Sequence, residues 1–274
     1  MKWNWRAIRA IMRKDLRLVF KNRMVWLPMI LVPAILFIVL PMVMLILPSL
    51  VGPTAVETDD IAPLLERMPA HLRSQIAGLS ELQQFSVLSS SYLFAPLFLI
   101  VPLMVSSVLA ADSFVGERER RTLEALLYTP ITDVELFVGK LLVGFLPAAG
   151  VTVASFFLYG LVVNLSGYHI MGRIFFPPAT WWPLVFWVSP GVSVVGLGAT
   201  VLISSKVKTF MQAQQASGML VLPIVFVMIG QLAGLFFMDT GLLLIAGAFV
   251  WLLGIWLVWI GARTFSRREL IARI

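Results

Sequence analysis

Residues 24–56, MVWLPMILVPAILFIVLPMVMLILPSLVGPTAV, run for 33 positions without one charged side chain. A helix needs about 20 apolar residues to cross a hydrocarbon core about 30 Å thick. In lipid the backbone must satisfy its own hydrogen bonds, so the stretch reads as a membrane-crossing helix. The pattern recurs downstream. Uncharged runs at 82–111, 141–172, 174–205, 209–238 and 240–262 have 30, 32, 32, 30 and 23 residues. Each holds one crossing, and none holds two with a turn between them. The reading is six spans, at roughly 25–50, 89–111, 141–163, 184–204, 216–237 and 242–262.

Composition agrees. Of 274 residues, 59% are hydrophobic and 13% are charged, against about 25% charged in ordinary soluble domains. Mean hydropathy is +0.94. Soluble globular, disordered and fibrous classes are excluded. The chain has no cysteine, which removes disulfides, thiolate nucleophiles and cysteine metal sites. His71 and His169 stand apart without a ligand-spaced neighbour, so no metal site is expected.

The basic residues carry the topology. Six spans put both termini on one side. Eighteen of the 21 Lys and Arg fall on that side, eight of them before residue 24, and three (Arg67, Arg73, Arg173) fall opposite. The positive-inside rule places both ends of this multi-pass chain in the cytoplasm. The net charge of +7 is then a topology signal and needs no nucleic-acid partner. The apolar run behind Arg23 is too long for a signal-peptide core.

Residues 1–24 form the first unit, a cytoplasmic amphipathic helix over 3–22. Trp5, Ile8, Met12, Leu16, Val19 and Phe20 share one face, and Arg6, Arg13, Lys14, Arg17 and Lys21 the other. Such a helix lies in the membrane interface. Residues 25–274 form the six-span domain. Its external segment, 51–88, carries the stripe Leu65, Met68, Leu72, Ile76 and Leu79, read as short helices acting as a packed cap or a gate. Phe175, Phe176, Trp181 and Trp182 suit an interfacial aromatic belt. Gly230-Gln-Leu-Ala-Gly234 is a GxxxG match that permits close helix contact.

The informative polar stretch is 111–142, ADSFVGERERRTLEALLYTPITDVELFVGKLL. Five consecutive charges, Glu117–Arg121, require the second span to have left the membrane. Leu123, Leu126 and Leu127 then have helical spacing, and Pro130 ends the segment. Thr132-Asp-Val-Glu135 is a capping box opening the next helix. The leucines suit either a re-entry turn on the lipid surface or a knob for a soluble partner.

The GERER run, TLEALL, the Thr-Pro and EL..GK before the third span resemble the membrane subunit of an ABC-2 type ABC transporter, in the group of sodium-efflux (NatB-like) and drug-export permeases. The resemblance implies an all-α polytopic fold of the type V exporter kind. Residues 117–128 would be a coupling helix docked in a groove of a separate ATPase subunit. Leu123, Leu126 and Leu127 would fill the groove, Glu117, Arg118, Glu119, Arg120, Arg121 and Glu124 would pair with its rim, and Thr122 would belong to the same docking segment. Two ATPase copies, holding ATP and Mg, would serve a pair of membrane subunits, either two copies of this chain or this chain and a related permease. Many relatives carry re-entrant helices between spans five and six; here such an element would have to come from 225–241.

The chain carries no ATPase motif and no cofactor site of its own. At Gly139-Lys140, Val134 stands where a phosphate loop needs its first glycine and Leu141 where it needs Ser or Thr. None of the predicted spans contains Lys, Arg, Asp, Glu or His, which argues against a proton-coupled carrier. No nucleophile–base set supports an intramembrane enzyme. The function expected is ATP-driven export of a lipid-like or amphipathic substrate. Sodium efflux, or a sensor that docks an ATPase without transporting, are the alternatives.

Overall fold

The computed structural model describes residues 4–51, 65–66, 68–120, 131–235 and 237–264, all helix and connecting turn without a strand. Helix α1 is Trp5–Lys21, and after the single residue Asn22 comes α2, Arg23–Val51. A short helix α3, Ala70–Ile76, precedes α4, Glu81–Glu119. Then follow α5, Asp133–Met171, α6, Trp181–Ser204, α7, Phe210–Leu232, and α8, Thr240–Thr264. Six of these, α2 and α4 to α8, are long and apolar enough to cross a membrane. The protein is an all-α, multi-pass membrane protein.

α4 is the axis of the bundle. In its most apolar stretch 78% of residues are buried, against 17% in each of α7 and α8. It packs against α5 and α6, and α6 packs along α8. The small residues that permit close packing lie seven apart. A Cβ added at Gly198 would come within 2.7 Å of the Leu257 Cβ, and one at Gly254 within 3.0 Å of the Val195 nitrogen. The GxxxG match does something else. α7 ends at Leu232, Gly234 adopts φ +68°, and the Leu235 N–H returns to the Gly230 carbonyl at 2.9 Å. That is a Schellman stop, which uses glycine for its left-handed backbone. No helix occurs among the described residues of 233–239, so no re-entrant element appears there.

Two helices, α4 and α5, outrun the spans read from the sequence by eight residues at each end. α5 has 39 residues, about 58 Å at 1.5 Å per residue. It starts where the capping box predicts: Thr132 Oγ1 accepts from the Glu135 N–H at 3.3 Å and Glu135 Oε2 from the Thr132 N–H at 3.1 Å. α4 begins eight residues earlier than expected because Ser80 and Gln83 form a second capping box.

α4 also contains two π-turns, Leu88–Leu93 and Asp112–Gly116. A π-turn loosens the carbonyl ladder, and in lipid a bare carbonyl costs several kcal/mol. At the first turn other helices supply donors. Tyr159 Oη donates to the Ser90 carbonyl at 2.6 Å, Trp181 Nε1 to Ser91 at 2.8 Å and Gln231 Nε2 to Tyr92 at 2.8 Å. Phe176 and Trp181 are therefore not belt residues. They are buried with Phe37, Phe98 and Tyr159 in an aromatic core, the Phe176 and Trp181 rings 4.7 Å apart. Trp182, 49% exposed, keeps a surface position.

The apolar stripe of segment 51–88 packs against the bundle as a cap. Met68, Leu72 and Ile76 are buried with Leu88, Tyr92 and Phe237. Residues 52–64 lie outside the described part.

Candidate functional site at the base of the 121–130 connection

α4 leads into residues 121–130 and α5 leads out of them. The two helix ends are joined by charge. Lys140, fully buried on α5, donates to the Glu117 carboxylate and to the Ser113 carbonyl on α4. Ser113 lies in the second π-turn, so the ammonium supplies the donor that this turn needs. Lys14 on α1 donates to the other Glu117 oxygen. Asp15 completes the cluster, 3.9 Å from Lys140 Nζ and 3.2 Å from the Ser113 hydroxyl that donates to it. Two ammonium groups face two carboxylates, which is the balance a buried cluster requires.

Burial is the largest influence on Asp15. It raises the carboxyl pKa above the usual aspartate value, and Lys140 and Lys14, which pull it down, do not cancel the rise. For Lys14, burial works to lower the pKa, but the Glu117 hydrogen bond and charge outweigh it and hold the ammonium above the ordinary lysine range.

α1 is held by this cluster and by its own start. The Asn4 N–H donates to Glu135 Oε1 at 2.8 Å, on the carboxylate that caps α5. The buried edge of α1 is Ile8, Ile11, Asp15 and Val19, packed against α5. Trp5 and Phe20, on the apolar face expected to meet the membrane interface, are 63% and 73% exposed on the surface of the chain. The helix thus has a second, inward edge, on which Asp15 meets Lys140 of α5.

The charges placed by the sequence at a partner's rim are engaged within the chain where they are described. Glu117 is 2% exposed. Arg118 donates to the Ser204 carbonyl at 3.1 Å and to Val207, tying α4 to the end of α6. Glu119 accepts the Phe210 N–H at 2.8 Å, at the start of α7. Arg120 pairs with Asp112 and donates from Nε to the Gly116 carbonyl at 3.1 Å. Arg121, Thr122, Leu123, Glu124, Leu126 and Leu127 lie outside the described residues. Lys14, Asp15, Asp112, Ser113 and Lys140 are the members that sequence reasoning missed. The predicted spans stop one residue short of both Asp112 and Lys140. One signal was available: Asp15, the single acid before residue 57, falls in register with Ile8, Ile11 and Val19.

Residues 9–259, from α1 to near the end of α8, match the family described as ABC-2 family transporter protein. The chain belongs to the ABC-2 transporter family. No curated protein and no solved structure matches it. As an ABC-2 permease it is a membrane component of an ABC transporter. The match covers α1 as well as the six long helices, so the cluster that joins α1 to α4 and α5 lies within the family domain. Among the described residues no group of His, Asp and Glu is arranged to hold a metal ion.

Proposed function

We propose that this ABC-2 permease moves a lipid-like or amphipathic substrate out of the cell, driven by a separate ATPase that docks on residues 121–127. Arg121, Thr122, Leu123, Glu124, Leu126 and Leu127 make the docking contact. Glu117, Arg118, Glu119 and Arg120 act behind it as the anchor that carries the push into the bundle. The observation behind this reading is the Glu117–Lys140 pair. It locks the ends of α4 and α5 together, so a force on the connection reaches the buried axis and does not dissipate in a loose loop. Arg118 and Glu119 extend the same anchor to the end of α6 and the start of α7.

In this reading both termini and the 121–130 connection face the cytoplasm. Two ATPase copies bind ATP and Mg, and two membrane subunits pair. The sparsely buried faces of α7 and α8 supply apolar surface for lipid or for the second subunit. A groove of about 540 Å³ beside α5, lined by Phe157, Leu161, Leu165, Ile174 and Trp182, suits an acyl chain and favours a lipid-like cargo over sodium.

The test is co-purification with the ATPase and ATP-dependent movement of a labelled lipid in proteoliposomes. Leu126→Asp is expected to abolish both while the permease keeps its melting temperature. ATP turnover without lipid movement would favour the sensor reading. Retained partner binding in Leu126→Asp would overturn the docking assignment.

A further inference from the structure

α1 has three sides. One is buried against α5 through Ile8, Ile11, Asp15 and Val19. A second carries Trp5, Met12, Leu16 and Phe20, with Trp5 and Phe20 strongly exposed. The third is a cationic groove of about 470 Å³, formed by Arg6, Arg9, Ala10, Arg13, Lys14 and Arg17 and closed at one end by Trp5. Among the described residues Arg6, Arg9, Arg13 and Arg17 have no carboxylate within ion-pair distance, whereas Arg120 has one and Lys14 and Lys140 have two each. Four guanidinium groups on four helical turns repel one another, and the row calls for an anion.

We propose that this groove binds the phosphate of an anionic phospholipid headgroup. The exposed apolar side selects the source. A soluble acidic protein would leave Trp5 and Phe20 in water, but an acyl region covers them while the adjacent cations meet the headgroup layer. α1 is also fixed at that level, because Asn22 alone separates it from the membrane-crossing α2. Lys14 belongs to both the groove and the buried cluster. A bound headgroup therefore lies one side chain from Glu117, at the root of the 121–130 connection. The site does not depend on what docks there.

The test uses the purified full chain in neutral detergent, with its thermal unfolding followed while short-chain phosphatidylglycerol, short-chain phosphatidylcholine or inorganic phosphate is titrated in. Phosphatidylglycerol is expected to raise the melting temperature saturably, and the other two are not. Arg9→Ala/Arg13→Ala/Arg17→Ala, all at exposed positions, should weaken the response about tenfold or more. Lys206→Ala/Lys208→Ala should leave it unchanged. An equal response to phosphatidylcholine, a response reproduced by inorganic phosphate, or an undiminished response in the triple variant would each overturn the proposal. Should the triple variant fail to fold, single Arg→Gln changes at the same three positions replace it, and an undiminished phosphatidylglycerol response in all three has the same consequence.

Discussion

Lys140 and Glu117 form a buried ion pair between the first turns of α5 and the last turn of α4, on either side of the 121–130 connection. Within the same cluster Lys14 reaches Glu117 from α1. The pair thus makes one body of three helices that a sequence reading keeps separate.

Lys140→Met leaves Glu117 and Asp15 buried with Lys14 as their nearest cation. Removing one partner of a buried pair costs about 3–5 kcal/mol. The variant is expected to lose that much in denaturant unfolding, and the charge swap Glu117→Lys/Lys140→Glu to recover part of it. A loss below 1 kcal/mol would show that the cluster is open to water.

Asp15 carries a pH signature. Its folded pKa lies above 3.8, mainly through burial. The folded protein then holds this proton more tightly than the unfolded chain. The resulting stability is full below the unfolded value and is lost as pH rises through the folded one. Lys140, Lys14 and Glu117 are the charges that face it. Measured against Asp15→Asn, the wild type should lose relative stability as pH rises from 3.8 upward. A difference that stays flat or grows in favour of the wild type would contradict the raised pKa.

Two glycines of long helices should respond oppositely to alanine. At Gly198 the new Cβ meets the Leu257 Cβ at 2.7 Å and the Val258 nitrogen at 2.9 Å. Overpacking of this kind costs about 1–3 kcal/mol. At Gly150 nothing lies within 4 Å, and alanine gains about 0.5–1 kcal/mol of helix preference. Melting curves of the two variants should move in opposite directions; equal shifts would refute the close α6–α8 contact.

Tyr159→Phe keeps the ring in the aromatic core but removes the donor to the Ser90 carbonyl. A buried acceptor left bare costs about 1–3 kcal/mol. Hydrogen exchange at the Leu88–Leu93 turn should rise in the variant, beyond any change in α8. Unchanged exchange there would mean that the π-turn does not depend on its borrowed donor.

The part of this protein that could be read in advance follows from one-dimensional rules. Residues 24–56 need no neighbour to be called a span, because lipid imposes its length and hydrogen-bond demands on a segment by itself. The same holds for Thr132–Glu135, whose cap closes within four residues. The site was less legible. In one dimension charges mark the ends of spans, so Asp112 and Lys140 fall in loops and Glu117–Arg120 at a partner's rim.

What the residue order determined alone is the number of crossings, the all-helical class and the start of α5, since each depends on local apolar length or a local cap. The α7 start at Phe210 comes six residues before the expected 216; Thr209 caps it, its hydroxyl accepting the Gln212 N–H at 3.3 Å. The fold in three dimensions decided where the charges go. Asp15, Glu117 and Lys140 are 102 and 23 residues apart along the chain, and no periodicity connects them. They become one cluster because low dielectric makes an unpaired charge too costly to bury, so the acid of α1 and Glu117 of α4 meet at Lys140 of α5.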